Sequence, residues 1–102
     1  MGKQLKGQAT EEQIQEWKRK YGDIYSIETG DSVCYLRKPD RTTLKAVSAV
    51  GLNDPVRSNE VLLENCWLGG DDTIKTDDEK FFSVSEQLGG IIEIRKAELK
   101  KL

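Results

Sequence analysis

The spacing of apolar residues changes period along the chain, and the changes divide it into predicted elements. Ile14, Trp17 and Tyr21 fall at i, i+3 and i+7, a narrow apolar stripe on an otherwise charged segment, which predicts an amphipathic helix. Thr10-Glu11-Glu12-Gln13 reads as a capping box at its start, with the Thr10 hydroxyl placed to accept from the Gln13 amide, and Gly22 is placed to end it. From residue 23 the period shortens to two. Ile24-Tyr25-Ser26-Ile27 and Val33-Cys34-Tyr35-Leu36 are β-branched and aromatic runs, and Glu28-Thr29-Gly30-Asp31 supplies turn chemistry between them. A β-hairpin is predicted, and no other segment carries a strand signal. Two strands alone are barely stable in water, so helices must cover one face or a partner must extend the edge.

After Lys38-Pro39 the pattern is helical to the end. Asp40 is placed to cap a helix reaching about Val50, with Leu44, Val47 and Gly51 on one side and Ala46, Ala49 and Val50 broadening the apolar face. Asp54-Pro55 restarts the chain as a helix, the aspartate capping and the proline taking the first position, where its missing N–H costs nothing. Val56, Leu62, Leu63, Cys66 and Trp67 read as that helix's buried face and Gly69-Gly70 as its stop. Past an acidic connector, Asp71–Lys75, a second capping box, Thr76-Asp77-Asp78-Glu79, opens a helix carrying Phe81, Val84, Leu88 and Ile91. Gly89-Gly90 predicts a kink or break, because each glycine costs about 1 kcal/mol against alanine in a helix. Ile92, Ile94, Ala97 and Leu99 then lie on a Lys-rich closing helix. The expected fold is α+β: an N-terminal helix, one β-hairpin, then three to four packed helices. It forms a single domain over residues 10–102 behind a flexible leader over 1–9.

Composition narrows the function more than it narrows the fold. With 36% hydrophobic and 33% charged residues in 102, the chain suits one globular domain with a heavily charged surface. Sixteen Lys and Arg against eighteen Asp and Glu leave a net charge of −2, without the basic excess that nucleic-acid binding uses to release counterions. No apolar run approaches the ~20 residues of a membrane span, and Met1–Thr10 lacks the apolar core of a secretory signal, so a cytoplasmic protein is expected. Cys34 and Cys66 stand apart, each flanked by apolar residues, and read as reduced, buried thiols. Histidine is absent, which removes Ser–His and Cys–His nucleophile activation and His-containing zinc sites. The acidic run from Asp71 to Glu79 lacks the alternating ligands and central glycine of an EF-hand loop, and neither glycine pair is followed by the Lys-Ser/Thr of a phosphate loop. No metal, cofactor or enzymatic activity is expected.

What remains is binding to protein. Arg37-Lys38-Pro39-Asp40-Arg41 beside Tyr35 is the most individual segment. Its plain reading is a strand end, a turn and a helix cap with solvated cations. Its functional reading is a positive corner that recognises an acidic or polar partner surface, since arginines and aromatics tend to carry interface energy. Tyr35, Arg37, Pro39, Arg41 and Trp67 are the candidate partner-binding residues.

The passage Val33-Cys34-Tyr35-Leu36-Arg37-Lys38-Pro39-Asp40-Arg41-Thr42-Thr43-Leu44 resembles the strand, Arg-x-Pro-x-Arg turn and helix of tail assembly chaperones of tailed bacteriophages and prophages. The resemblance extends in layout over most of residues 10–102, through Leu62-Leu63-Glu64-Asn65-Cys66-Trp67-Leu68-Gly69-Gly70-Asp71 and a helical C-terminus. It implies a holdase that covers the aggregation-prone tape measure protein and recruits tail tube subunits. The alternative is a small phage or prophage adaptor or regulatory domain that binds a folded protein through its hairpin edge.

Overall fold

The computed structural model of the chain describes residues 4–50, 54–88 and 99–102. Its elements are α1 (Glu11–Tyr21), β1 (Ile24–Thr29), β2 (Ser32–Arg37), α2 (Arg41–Val50), α3 (Pro55–Cys66), β3 (Trp67–Gly70), α4 (Thr73–Thr76) and α5 (Asp78–Leu88). The protein is α+β, with helices around a three-stranded antiparallel sheet of order β1-β2-β3. Among the described residues no helix is long and apolar enough to cross a membrane.

Local signals set the first half as expected. The Thr10 hydroxyl accepts from the Gln13 amide, and Gly22 closes α1 at a φ of 79°. The hairpin pairs Thr29 with Ser32, so its loop is Gly30-Asp31. Gly30 has a φ of 58° and Asp31 does not have a positive φ, which is the arrangement of a type II′ turn. Successive side chains of a strand point to opposite faces. Tyr25, Ile27, Cys34 and Leu36 therefore share one face, where they pack with Leu62, Leu63, Cys66, Ile74, Phe81, Val84 and Leu88 from α3, α4 and α5. Val33 and Tyr35 take the other face. There the Trp17 ring of α1 lies 5.4 Å from the Tyr35 ring, centroid to centroid. Both cysteines are free and fully buried.

The structure corrects several expectations. Among the described residues the sheet has three strands, not a lone hairpin: Trp67–Gly70 is strand β3 on the far edge of β2, with a one-residue register shift between Tyr35 and Leu36. Gly69-Gly70 is therefore no helix stop. A Cβ at Gly69 would meet Trp17 Cη2 at 3.0 Å, and one at Gly70 would fall 2.6 Å from both Cys34 Cα and the Val33 carbonyl oxygen. These glycines let β3 approach β2 closely while Trp17 crosses bare backbone. Val56, read as part of the buried face of α3, is exposed, and Val61 joins Leu62, Leu63 and Cys66 inside. On α2 the buried residue is Thr43, whereas Leu44 is exposed, because α2 packs mainly on α3.

Two further differences concern chain ends and caps. Asp77, not Thr76, caps α5 by accepting from the Lys80 amide, while Thr76 ends the short α4 that replaces the connector. Lys6 lies in a parallel bridge to Ser32, its N–H donating to the Asp31 carbonyl at 2.8 Å and its C=O accepting from Val33 at 3.0 Å. The N-terminal segment is thus tied to the sheet from at least Lys6 onward. The predicted break at Gly89-Gly90, the last turn at Ile91 and the closing helix through Ile92, Ile94 and Ala97 lie outside the described residues. Leu99 is fully exposed and outside any helix.

The Gly70 geometry makes a sharp prediction. Its φ of 139° disfavours any side chain, and the atoms a methyl group would strike are mostly backbone. Gly70→Ala is expected to destabilise the fold by about 3 kcal/mol or more in chemical denaturation. A loss under about 1 kcal/mol would mean that β3 does not lie this close to β2.

Candidate functional site

The predicted binding corner is partly turned inward. Tyr35 is buried under Trp17, and its phenolic oxygen accepts from the Ala9 amide at 3.2 Å. Arg37 is half-buried and holds three elements together. One guanidinium nitrogen donates to the Asn65 carbonyl at 2.8 Å, in the last turn of α3, where helix carbonyls lack internal partners. The other lies 3.4 Å from Asp40 and donates to the Lys38 carbonyl. Asp40 in turn caps α2, accepting from both the amide and the hydroxyl of Thr43 at 2.8 Å, and these bonds hold its carboxyl below the usual range. Arg37 is therefore a strut between β2, α2 and α3 and not a solvated cation. Pro39 is half-buried in the turn, and Lys38, Asp40 and Arg41 are exposed.

Trp67 sits on β3, half-buried against the core, with the Lys75 ammonium 4.2 Å above its ring. Lys75 also lines a groove of ≈ 200 Å³ between α3 and α5, together with Val56, Glu60, Asp78, Phe81 and Phe82. Phe82 is 53% exposed and Val56 46%, while Phe81 forms the floor and meets Phe82 edge to face at 5.7 Å. Of the five candidate residues, only Trp67 is tied to this groove, through Lys75. Sequence reading missed Phe82 because Phe81 alone fits the helical stripe. The signal was the adjacent aromatic pair, since neighbours on a helix cannot both face the core.

A second cluster lies at the hairpin loop. Ser32, with no exposed surface, donates its hydroxyl proton to Asp71 at 2.6 Å and accepts from the Lys80 ammonium at 3.0 Å. Lys80 also donates to the Thr73 hydroxyl at 2.9 Å and lies 3.6 Å from Asp71 and 3.9 Å from Asp31. A serine and a lysine at this separation invite comparison with a nucleophile and its base. The polarity is reversed, however: the serine proton points to a carboxylate and the amine donates instead of accepting. The cluster ties β2, α4 and α5 together. Bonds from Ser32 and from the Thr73 amide, with the Lys80 charge behind them, hold the Asp71 carboxyl well below its ordinary 3.8. Burial pushes the Cys34 thiol up to about 11 and the Cys66 thiol upward, so both are poor nucleophiles at neutral pH. Among the described residues no group of acidic or cysteine side chains is arranged to hold a metal.

A carboxylate with a depressed folded-state pKa stabilises the fold fully above its unfolded value and loses that contribution as pH falls below it. Wild-type stability is therefore expected to drop from about pH 4 downward. Asp71→Asn should be less stable than wild type at pH 7 and show a smaller drop between pH 4 and pH 2, read by urea titration at each pH. Parallel pH profiles for the two proteins would contradict the Ser32–Asp71–Lys80 arrangement.

Comparison with known protein families, with curated proteins and with solved structures finds no match to this chain.

Proposed function

We propose that this domain is a non-catalytic binding module whose groove between α3 and α5 receives an amphipathic helix of a partner protein. The observation that supports it most directly is the pairing of Val56 and Phe82, both about half exposed, over the buried Phe81. Isolated surface aromatics are ordinary, but two large apolar side chains flanking a groove floored by a third make a socket for an apolar residue. Glu60 and Asp78 on the rim suit a partner helix with basic residues flanking its apolar stripe, in the helix-in-groove mode.

The resemblance of residues 33–44 to phage tail assembly chaperones supplies a specific client. On this reading the groove holds a helical segment of the tape measure protein in the cytoplasm of a bacterial host and releases it as tail tube subunits assemble around it. The adaptor reading, recognition of a folded protein through the hairpin edge, has one observation in its favour: among the described residues β1 is an outer strand of the sheet.

Titration calorimetry with helical segments of a tape measure protein and with tube subunits tests the proposal. Phe82→Ala should weaken client binding by about tenfold or more while leaving the far-UV circular dichroism and melting temperature unchanged. Absence of binding to either client would overturn the chaperone reading, and binding indifferent to Phe82→Ala would overturn the groove.

A further inference from the structure

We infer that β1 is a self-association edge, on which a second copy of this chain adds its own β1 antiparallel to make one continuous six-stranded sheet. The backbone shows which groups are left for it. The Val33 amide donates to Lys6 and the Val33 carbonyl accepts from Asp71, so Val33 turns both its polar groups away from β1. Antiparallel pairs alternate between bonded and non-bonded positions. Ser32, Cys34 and Leu36 therefore bond to their register partners Thr29, Ile27 and Tyr25. The N–H and C=O groups of Ile24, Ser26 and Glu28 consequently project from the outer edge, where the sheet has no further strand among the described residues. Natural edges are usually blunted by lysine, proline or a bulge. Strand β1 has none of these: its sequence is Ile-Tyr-Ser-Ile-Glu-Thr and its register with β2 is unbroken.

The exposed groups are complementary to themselves. A two-fold axis through Ser26 sets it opposite the second copy's Ser26 and sets Ile24 opposite the second copy's Glu28, and the reverse. All the projecting groups are then used, in about six hydrogen bonds. A register shifted by two residues keeps the faces matched but leaves the Ile24 or the Glu28 groups unpaired, according to its direction. Charge is complementary in the same register. Lys18 of α1 lines a cleft with Ile24, Tyr25 and Ser26 on the α1 side of the sheet. Glu28 has its side chain on that side as well, since it alternates with Ile27. Among the described residues neither Lys18 nor Glu28 forms an ion pair. In the two-fold pairing each Glu28 arrives beside Ile24 of the other copy, within reach of its Lys18, and the contact occurs twice. The occupant is thus a copy of the same strand, and the inference does not depend on the α3–α5 groove.

Sedimentation velocity of the full chain from about 10 μM to about 1 mM tests it. A concentration-dependent monomer–dimer equilibrium is expected. Ser26→Pro removes an N–H that bonds nothing within the monomer, so it should abolish the dimer and keep the monomer's circular dichroism. Glu28→Lys should weaken association by about tenfold, and Lys18→Glu combined with Glu28→Lys should restore it. The restoration keeps the inference testable if the proline variant does not fold. A monomer throughout the range would overturn it, as would a dimer insensitive to the charge reversals. A dimer lost on Phe82→Ala would also overturn it, by placing self-association in the groove.

Discussion

With Ser32 to Leu36 all withdrawn from solvent, β2 must be covered on both faces and hydrogen-bonded along both edges. A hairpin satisfies one edge only. The second edge is filled by two short pieces from opposite ends of the sequence, Lys6 beside Ser32 and Gly69-Gly70 beside Tyr35 and Cys34. Neither piece is a convincing strand alone. Each is held because an unpaired buried N–H or C=O on β2 would cost more than ordering a few residues of polar backbone. The faces are covered as unequally as the edges. A packed apolar core from three helices lies on one side, and α1 lies on the other with Trp17 as its main contact.

The charged residues mostly serve this arrangement. Arg37 joins the end of β2 to the cap of α2 and the last turn of α3, and Lys80 joins the start of β2 to α4 and α5. Each is a partly buried cation satisfied by several acceptors, the setting in which a charge contributes to the fold and does not merely solvate its surface. By contrast Lys6 and Asp31 form an exposed pair at 3.1 Å, which adds little. With Tyr35, Arg37 and Lys80 engaged internally, the two surfaces proposed for partners are apolar at the α3–α5 groove and backbone-polar at β1. These are different chemistries on different elements, so the proposed client groove and the proposed self-association edge do not overlap.

Residue type alone did not reveal that Tyr35 and Arg37 of the predicted binding corner are engaged inside the domain. Arginine, tyrosine and tryptophan are enriched at interfaces, but they are also the residues that span the boundary between a small core and its surface. In a chain of this size the core is thin, and Tyr35 and Arg37 are needed to complete it. Phe82 and Val56 lie at positions where helical periodicity either places a neighbour inside or puts the residue itself on the buried stripe. Only the packing angle of α3 against α5 shows that both border a groove.

The α1 cap at Thr10, the Gly22 terminus, the hairpin turn at Gly30, the Asp54-Pro55 start of α3 and the apolar stripe Phe81–Val84–Leu88 were all legible in the sequence. Each depends on contacts within a few residues, where side-chain chemistry and backbone geometry are tightly coupled. Strand β3, the docked segment at Lys6, the orientation of α2 and the inward turn of Arg37 were decided by tertiary structure. Gly69-Gly70 can end a helix or slide beneath a tryptophan, and nothing local separates the two. The deciding interaction is the demand of a buried central strand, more than thirty residues earlier in the chain, for hydrogen bonds along its second edge.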